Sequence, residues 1–225
     1  MKEFKHLPGL DLIRVFGILV VVFYHYQVET AVRGLCPADF LPAMEPLVQV
    51  AVYTMTLLSG SCLCWQEKSR SWSMKRYLWG RFLAIYPLFW LCFFPIFFYS
   101  DIICGNNEGV APWKLLLSIV GVDGYFQSFT PTFYKIGEWY LGCILFLYAV
   151  FPVLWRMIRR RGVVLAAVGA LFAWLACCFV ENPGQLYPTL IGQLPLFFMG
   201  IFLGGCLPSL WIPGILAGMT TLVLY

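Results

Sequence analysis

Long apolar runs recur along almost the whole sequence, and short clusters of Lys and Arg interrupt them. Each run is close to the roughly 20 residues that an α-helix needs to cross hydrocarbon. In lipid every backbone N–H and C=O must be paired inside the protein, so only helices or closed barrels span it. A barrel strand would alternate polar and apolar positions, and these runs do not. The sequence therefore reads as all-α, a polytopic transmembrane helical bundle. Composition agrees: 61% hydrophobic and 12% charged residues, against about 45–50% and about 25% in soluble domains. A water-soluble globular enzyme and a disordered chain are both excluded. The 225 residues allow about seven or eight membrane segments.

The runs place helices at about Leu10–Tyr26, Leu47–Trp65, Phe82–Tyr99, Trp139–Trp155, Val163–Val180 and Leu186–Cys206, with another starting near Leu210. Residues 29–45 read as an outer loop and 66–81 as a basic inner loop. Of the 15 Lys and Arg residues, all but Arg33, Lys114 and Lys135 fall in three groups: Lys2 to Arg14, Lys68 to Arg81, and Arg156 to Arg161. Basic residues mark the cytoplasmic side, which puts the N-terminus inside. This pattern needs no nucleic-acid partner to explain it. The apolar stretch 113–126 is too short to span comfortably, and a crossing there would expose Arg156–Arg161 to the outside. It reads as a re-entrant or interfacial segment, or as a loop lying on the outer surface.

Most of the nine cysteines lie in or beside apolar runs, as buried free thiols do. Cys36 and Cys104 fall in outer loops and could pair. Cys62-Leu63-Cys64 has no His or carboxylate at metal-ligand spacing, so no metal site is expected. The first apolar run lacks a cleavage pattern and reads as a retained helix.

Ionisable residues inside a membrane default to functional hypotheses. The first helix has Asp11, Arg14 and His25. Arg14 and His25 are eleven positions apart, about three turns, so they share a face roughly 16 Å apart along the axis. Asp11 stands one turn before Arg14 and can pair with it. A neutral imidazole can act as a general base toward a hydroxyl. A structural reading stands beside each: Arg14 as a snorkelling interfacial arginine, His25 as a hydrogen-bonded core histidine. Glu138, at an outer helix end, reads as facing an acceptor or as a solvated carboxylate. Ser59 reads better as a small packing residue beside Gly60 than as a nucleophile. Asp123 and Gln193 are further polar candidates for lining a cavity.

The segment Gly9–His25 resembles the opening helix of the acyltransferase family 3 membrane proteins, whose Arg-x10-His motif maps onto Arg14 and His25. The resemblance continues in order through Leu58-Ser59-Gly60, Arg81-Phe82-Leu83-Ala84-Ile85-Tyr86-Pro87, Trp139-Tyr140-Leu141 to Phe151-Pro152, and Leu194-Pro195-Leu196-Phe197-Phe198-Met199-Gly200. It implies an integral-membrane O-acyltransferase. Such an enzyme takes an acyl group, commonly acetyl, from cytoplasmic acetyl-CoA or another acyl-CoA. It delivers that group to a hydroxyl of an envelope polysaccharide or lipid-linked sugar. His25 would be the catalytic base, and Arg14 and Arg81 would hold the donor's phosphates. Asp11, Ser59, Tyr86, Glu138 and Trp139 would be pocket or acceptor-side residues. The expected setting is a bacterial inner membrane. Ala84 stands where the family has a second arginine, and the apolar run ending at Tyr225 suggests that residues 1–225 are one incomplete domain. Two rivals remain: an inactive remnant of the same fold, and a small-molecule transporter with broken helices.

Overall fold

The computed structural model describes residues 8–35, 37, 40–68, 72–106, 109–126, 129–133, 135–136, 139–179 and 189–206. Among these residues all regular structure is helical. The main helices are α1 (Pro8–Val32), α2 (Leu41–Lys68), α3 (Met74–Phe97), α4 (Leu115–Val120), α5 (Trp139–Phe179) and α6 (Leu190–Cys206). A π turn, Phe98–Ile103, follows α3, and 3₁₀ turns at Pro112–Lys114 and Asp123–Tyr125 flank α4. Four helical stretches are long and apolar enough to cross a membrane: Gly9–Val32, Leu41–Glu67, Met74–Ile103 and Trp139–Met157. The run expected near Leu210 lies outside the described residues.

The helices are longer than hydropathy alone suggests. α1 reaches Val32 and α2 starts at Leu41, so the connection between them shrinks to 33–40. α3 starts at Met74, which makes Lys75, Arg76 and Arg81 helical rather than part of an inner loop. Lys and Arg are about as helix-favouring as Leu, so a helix can run past the hydrocarbon edge until a real stop signal. Gly34 supplies one for α1. At φ 69° it sends its N–H to Ala31, while Leu35 reaches Thr30, a Schellman ending.

A second correction concerns residues 156–161. Two helices separated by an inner arginine loop are expected there, but α5 runs unbroken from Trp139 to Phe179. The arginines favour helix, and no proline follows Pro152 in that stretch to break it.

The described chain forms two compact units, one from parts of Met1–Ser71 and Met157–Tyr225, the other from Trp72–Arg156. In the first, α2 packs on both α1 and α6. Leu10 and Leu58 make one buried cluster, Val20, Val48 and Ala51 another. Against α6 the contact is backbone to backbone: a Cβ on Gly60 would fall on the Phe197 carbonyl, and one on Gly200 or Gly204 on those of Leu57 and Ser61. Small residues allow this approach, which is how membrane helices associate where lipid offers no hydrophobic drive. Ser61 Oγ donates to the Gly200 carbonyl at 2.8 Å, and Thr56 Oγ1 donates to Gln193 Oε1 at 2.7 Å.

In the second unit, α3 and the first half of α5 are joined by aromatic contacts. Tyr77 stacks on Phe151, which stacks on Trp155, and the Tyr77 hydroxyl donates to the Tyr148 carbonyl at 2.7 Å. Stretch 113–126 holds only a short helix: α4 has six residues, about 9 Å of helix. Its last carbonyls are capped from α3, where Trp90 Nε1 donates to Ile119 and the Tyr86 hydroxyl to Val120. Gly121, at φ 80°, turns the chain so closely against Leu141 that a Cβ there would sit 2.6 Å from it.

Candidate functional site

α1 carries the charged face. Arg14 sends Nη1 to Asp11 Oδ1 at 3.2 Å and Nη2 to Cys62 Sγ on α2 at 2.9 Å. Its guanidinium is thus held by an acid one turn back and a half-buried thiol on the neighbouring helix, a more fixed position than free snorkelling gives. Gly17, one turn further along, lets α2 approach with Ala51 and Met55 at 3.8 Å. His25 lies on the same helix with its side chain exposed and its ring edge-on to Tyr24 at 5.9 Å. Helix register puts both residues on one face, about 16 Å apart. One is braced by α2, and the other is open.

Ser59 is committed elsewhere. Its hydroxyl donates to the Met55 carbonyl of its own helix at 2.8 Å, as a packing serine does.

The second unit holds Arg81, Tyr86 and Trp139. Arg81 Cζ lies over the Tyr148 ring, 5.5 Å from the centroid, a cation–π arrangement. It borders a half-open cavity of about 150 Å³ between α3 and α5, walled by Tyr77, Phe82, Tyr86 and Tyr148 among others. Tyr86 spends its hydroxyl on Val120, so it ties α4 down. Trp139 opens α5, half-buried and edge-on to Tyr140 at 5.7 Å. Glu138 lies outside the described residues. The structure thus joins Asp11 and Arg14 directly, with Cys62 added. Arg81 and Tyr86 border one cavity of the other unit.

Two further polar clusters stand apart from these residues; the first is not legible as a site in the sequence, and the second holds Asp123, a cavity candidate there. Lys135 Nζ lies 3.0 Å from Asp101 Oδ1, and their side chains are 17% and 1% exposed. Asp101 sits in the π turn, a feature frequent at functional positions. A lone carboxylate ending an apolar run was the available signal. The second is Asp123, fully buried in the 3₁₀ turn after α4. Burial pushes its carboxyl up from the ordinary value, and the Ser118 hydroxyl and nearby backbone N–H groups pull it partly back. Burial also raises the Tyr125 phenol, which faces Cys143. Among the described residues no three His, Cys, Asp or Glu side chains converge as a metal site would require.

No curated protein and no solved structure matches the chain. A family model, Acyl_transf_3, described as an acyltransferase domain, matches residues 7–219. That match takes in α1 with Arg14 and His25, both units and all six helices. This helical membrane protein, nearly its whole length covered, therefore belongs to acyltransferase family 3.

Proposed function

We propose that the chain is a membrane O-acyltransferase that moves an acyl group, acetyl in the simplest case, from cytoplasmic acyl-CoA to a hydroxyl. The acceptor is an envelope polysaccharide or a lipid-linked sugar. The observation that carries this reading is the face of α1: a braced Arg14 and an open His25, in the register of the family's motif. Arg14 offers a planar donor fork suited to phosphate, with Arg81 as a second candidate cation.

His25, neutral, takes the proton from the acceptor hydroxyl, and the oxygen attacks the thioester carbonyl. The carbon–sulfur bond breaks, the CoA thiolate leaves, and the proton ends on that sulfur. In this reading both compact units belong to one membrane domain of seven or eight segments, with the N-terminus cytoplasmic, in a bacterial inner membrane. Asp11 orients Arg14, and Trp139 and Glu138 lie toward the acceptor side.

The test supplies labelled acetyl-CoA to the cytoplasmic face of membranes containing the chain and follows label into envelope glycan. We expect His25→Ala to abolish transfer and Arg14→Ala to raise the donor KM. Full transfer by His25→Ala overturns the catalytic assignment. Absence of transfer by inserted wild-type chain favours the inactive remnant.

A further inference from the structure

The cavity between α3 and α5 is built from rings around a single charge. Tyr77, Phe82, Tyr86 and Tyr148 wall it, and among its lining residues Arg81 alone is charged. The rings are held by contacts of their own. The Tyr77 hydroxyl donates to the Tyr148 carbonyl at 2.7 Å, and the Tyr86 hydroxyl to the Val120 carbonyl at 3.1 Å. Trp79 stacks on Phe82 with ring centroids 5.4 Å apart. Arg81 is set against the Tyr148 ring, so its guanidinium stands at the same slot. The span begins at Met74, which puts Arg81 about two turns in from that end. In the proposed topology this end is cytoplasmic, the side from which CoA arrives.

We propose that this cavity receives the adenine base of the acyl-CoA donor, with the donor's 3′-phosphate at Arg81. The inference rests on the acyl-CoA reading and says which part of the donor lies here. In CoA the base and the 3′-phosphate share one ribose, whereas the thioester lies at the far end of the pantetheine arm. A ring-lined slot beside a phosphate-holding arginine therefore stands where the base must be, not where the acyl group reacts. Every base has a π-face that stacks on aromatic side chains, and an arginine against the rings adds to the attraction. No carboxylate lines the cavity, so nothing in its wall repels the phosphate. Size agrees as well. A cavity of about 150 Å³ holds a benzene ring in other proteins. The larger purine fills it and leaves its polar edge at the open side, in water.

The experiment titrates the full chain in neutral detergent with CoA and with an abasic CoA, which keeps the arm and all the phosphates but carries hydrogen in place of the base. We expect CoA to bind about tenfold more tightly than the abasic analogue. Phe82→Leu removes a ring and keeps the wall apolar. Ala149→Phe fills the cavity from an exposed position. Each should bring CoA down to the abasic level and leave the abasic analogue's own affinity as in wild type, which also shows that the variant is folded. Equal binding of the two ligands by the wild-type chain overturns the adenine site and leaves the donor reading standing, and a lipid chain in the cavity would give that result. CoA affinity unchanged in both variants overturns the site in the same way. Loss of the abasic analogue in both variants assigns the rings to the fold or to the phosphate, and overturns it too. Binding of neither ligand by the wild-type chain overturns the donor reading itself, and the site with it.

Discussion

Asp11 and Arg14 are 44% and 36% exposed at their side chains, and that exposure sets what their ion pair is worth. Pairs this open to solvent contribute about 0–1 kcal/mol. Asp11→Asn should therefore lower the unfolding midpoint in micelles by only a few degrees while raising the donor KM, because Arg14 loses its orienting partner. A large stability loss with unchanged KM would show that the pair serves the fold alone. Asp123 behaves differently because it is buried. Its folded-state pKa is raised above the ordinary 3.8, so the folded state holds its proton more tightly than the unfolded one. That contribution is complete below the unfolded pKa and is lost as pH rises through the folded value. Thermal unfolding followed from about pH 4 upward should show this decline. Asp123→Asn should flatten it; a variant with the same pH slope as wild type would locate the dependence elsewhere.

At the scale of elements, two contacts decide how the helices are held, and their legibility in sequence differs. The α2–α6 crossing rests on Gly60, Gly200 and Gly204. Their small-residue spacing in apolar runs is a pattern readable in advance. Gly60→Ala would drive a Cβ into the Phe197 carbonyl and should cost about 1–3 kcal/mol. Ser59→Ala next door should be nearly neutral, since that hydroxyl only bonds back to its own helix. Equal effects on unfolding would contradict the crossing. The Lys135–Asp101 pair was not readable, because it joins two stretches that only the folded chain brings together. Lys135→Met leaves a carboxylate that is 1% exposed without its cation, a loss of about 3–5 kcal/mol. The double variant Asp101→Asn, Lys135→Met should recover much of it; additive losses in the thermodynamic cycle would deny the coupling. Helix existence was legible from run length. Helix ends were not, since Lys75, Arg76 and Arg156 to Arg161 are as compatible with helix as the leucines beside them.

For the molecule as a whole, charge and helix length must agree on how often the chain crosses. α5 has 41 residues, about 62 Å of helix, twice the hydrocarbon thickness of about 30 Å. Its second half is apolar and cannot rest in water. Gly169 lies against Phe198 of α6, with a Cβ there 3.2 Å away, so packing inside the first unit covers part of that surface. Between Lys75 and Arg160 lie two stretches long and apolar enough to cross, Met74–Ile103 and Trp139–Met157. Stretch 113–126 adds none if its six-residue α4 is too short to pass. The proposed topology, by the positive-inside rule, expects both cations on the cytoplasmic side. Lys75→Cys and Arg160→Cys, each alone in a background without the native cysteines, should react with an impermeant maleimide only after the inner face is opened. Reaction of the two from opposite faces would require a third crossing between them and would make 113–126 a true span.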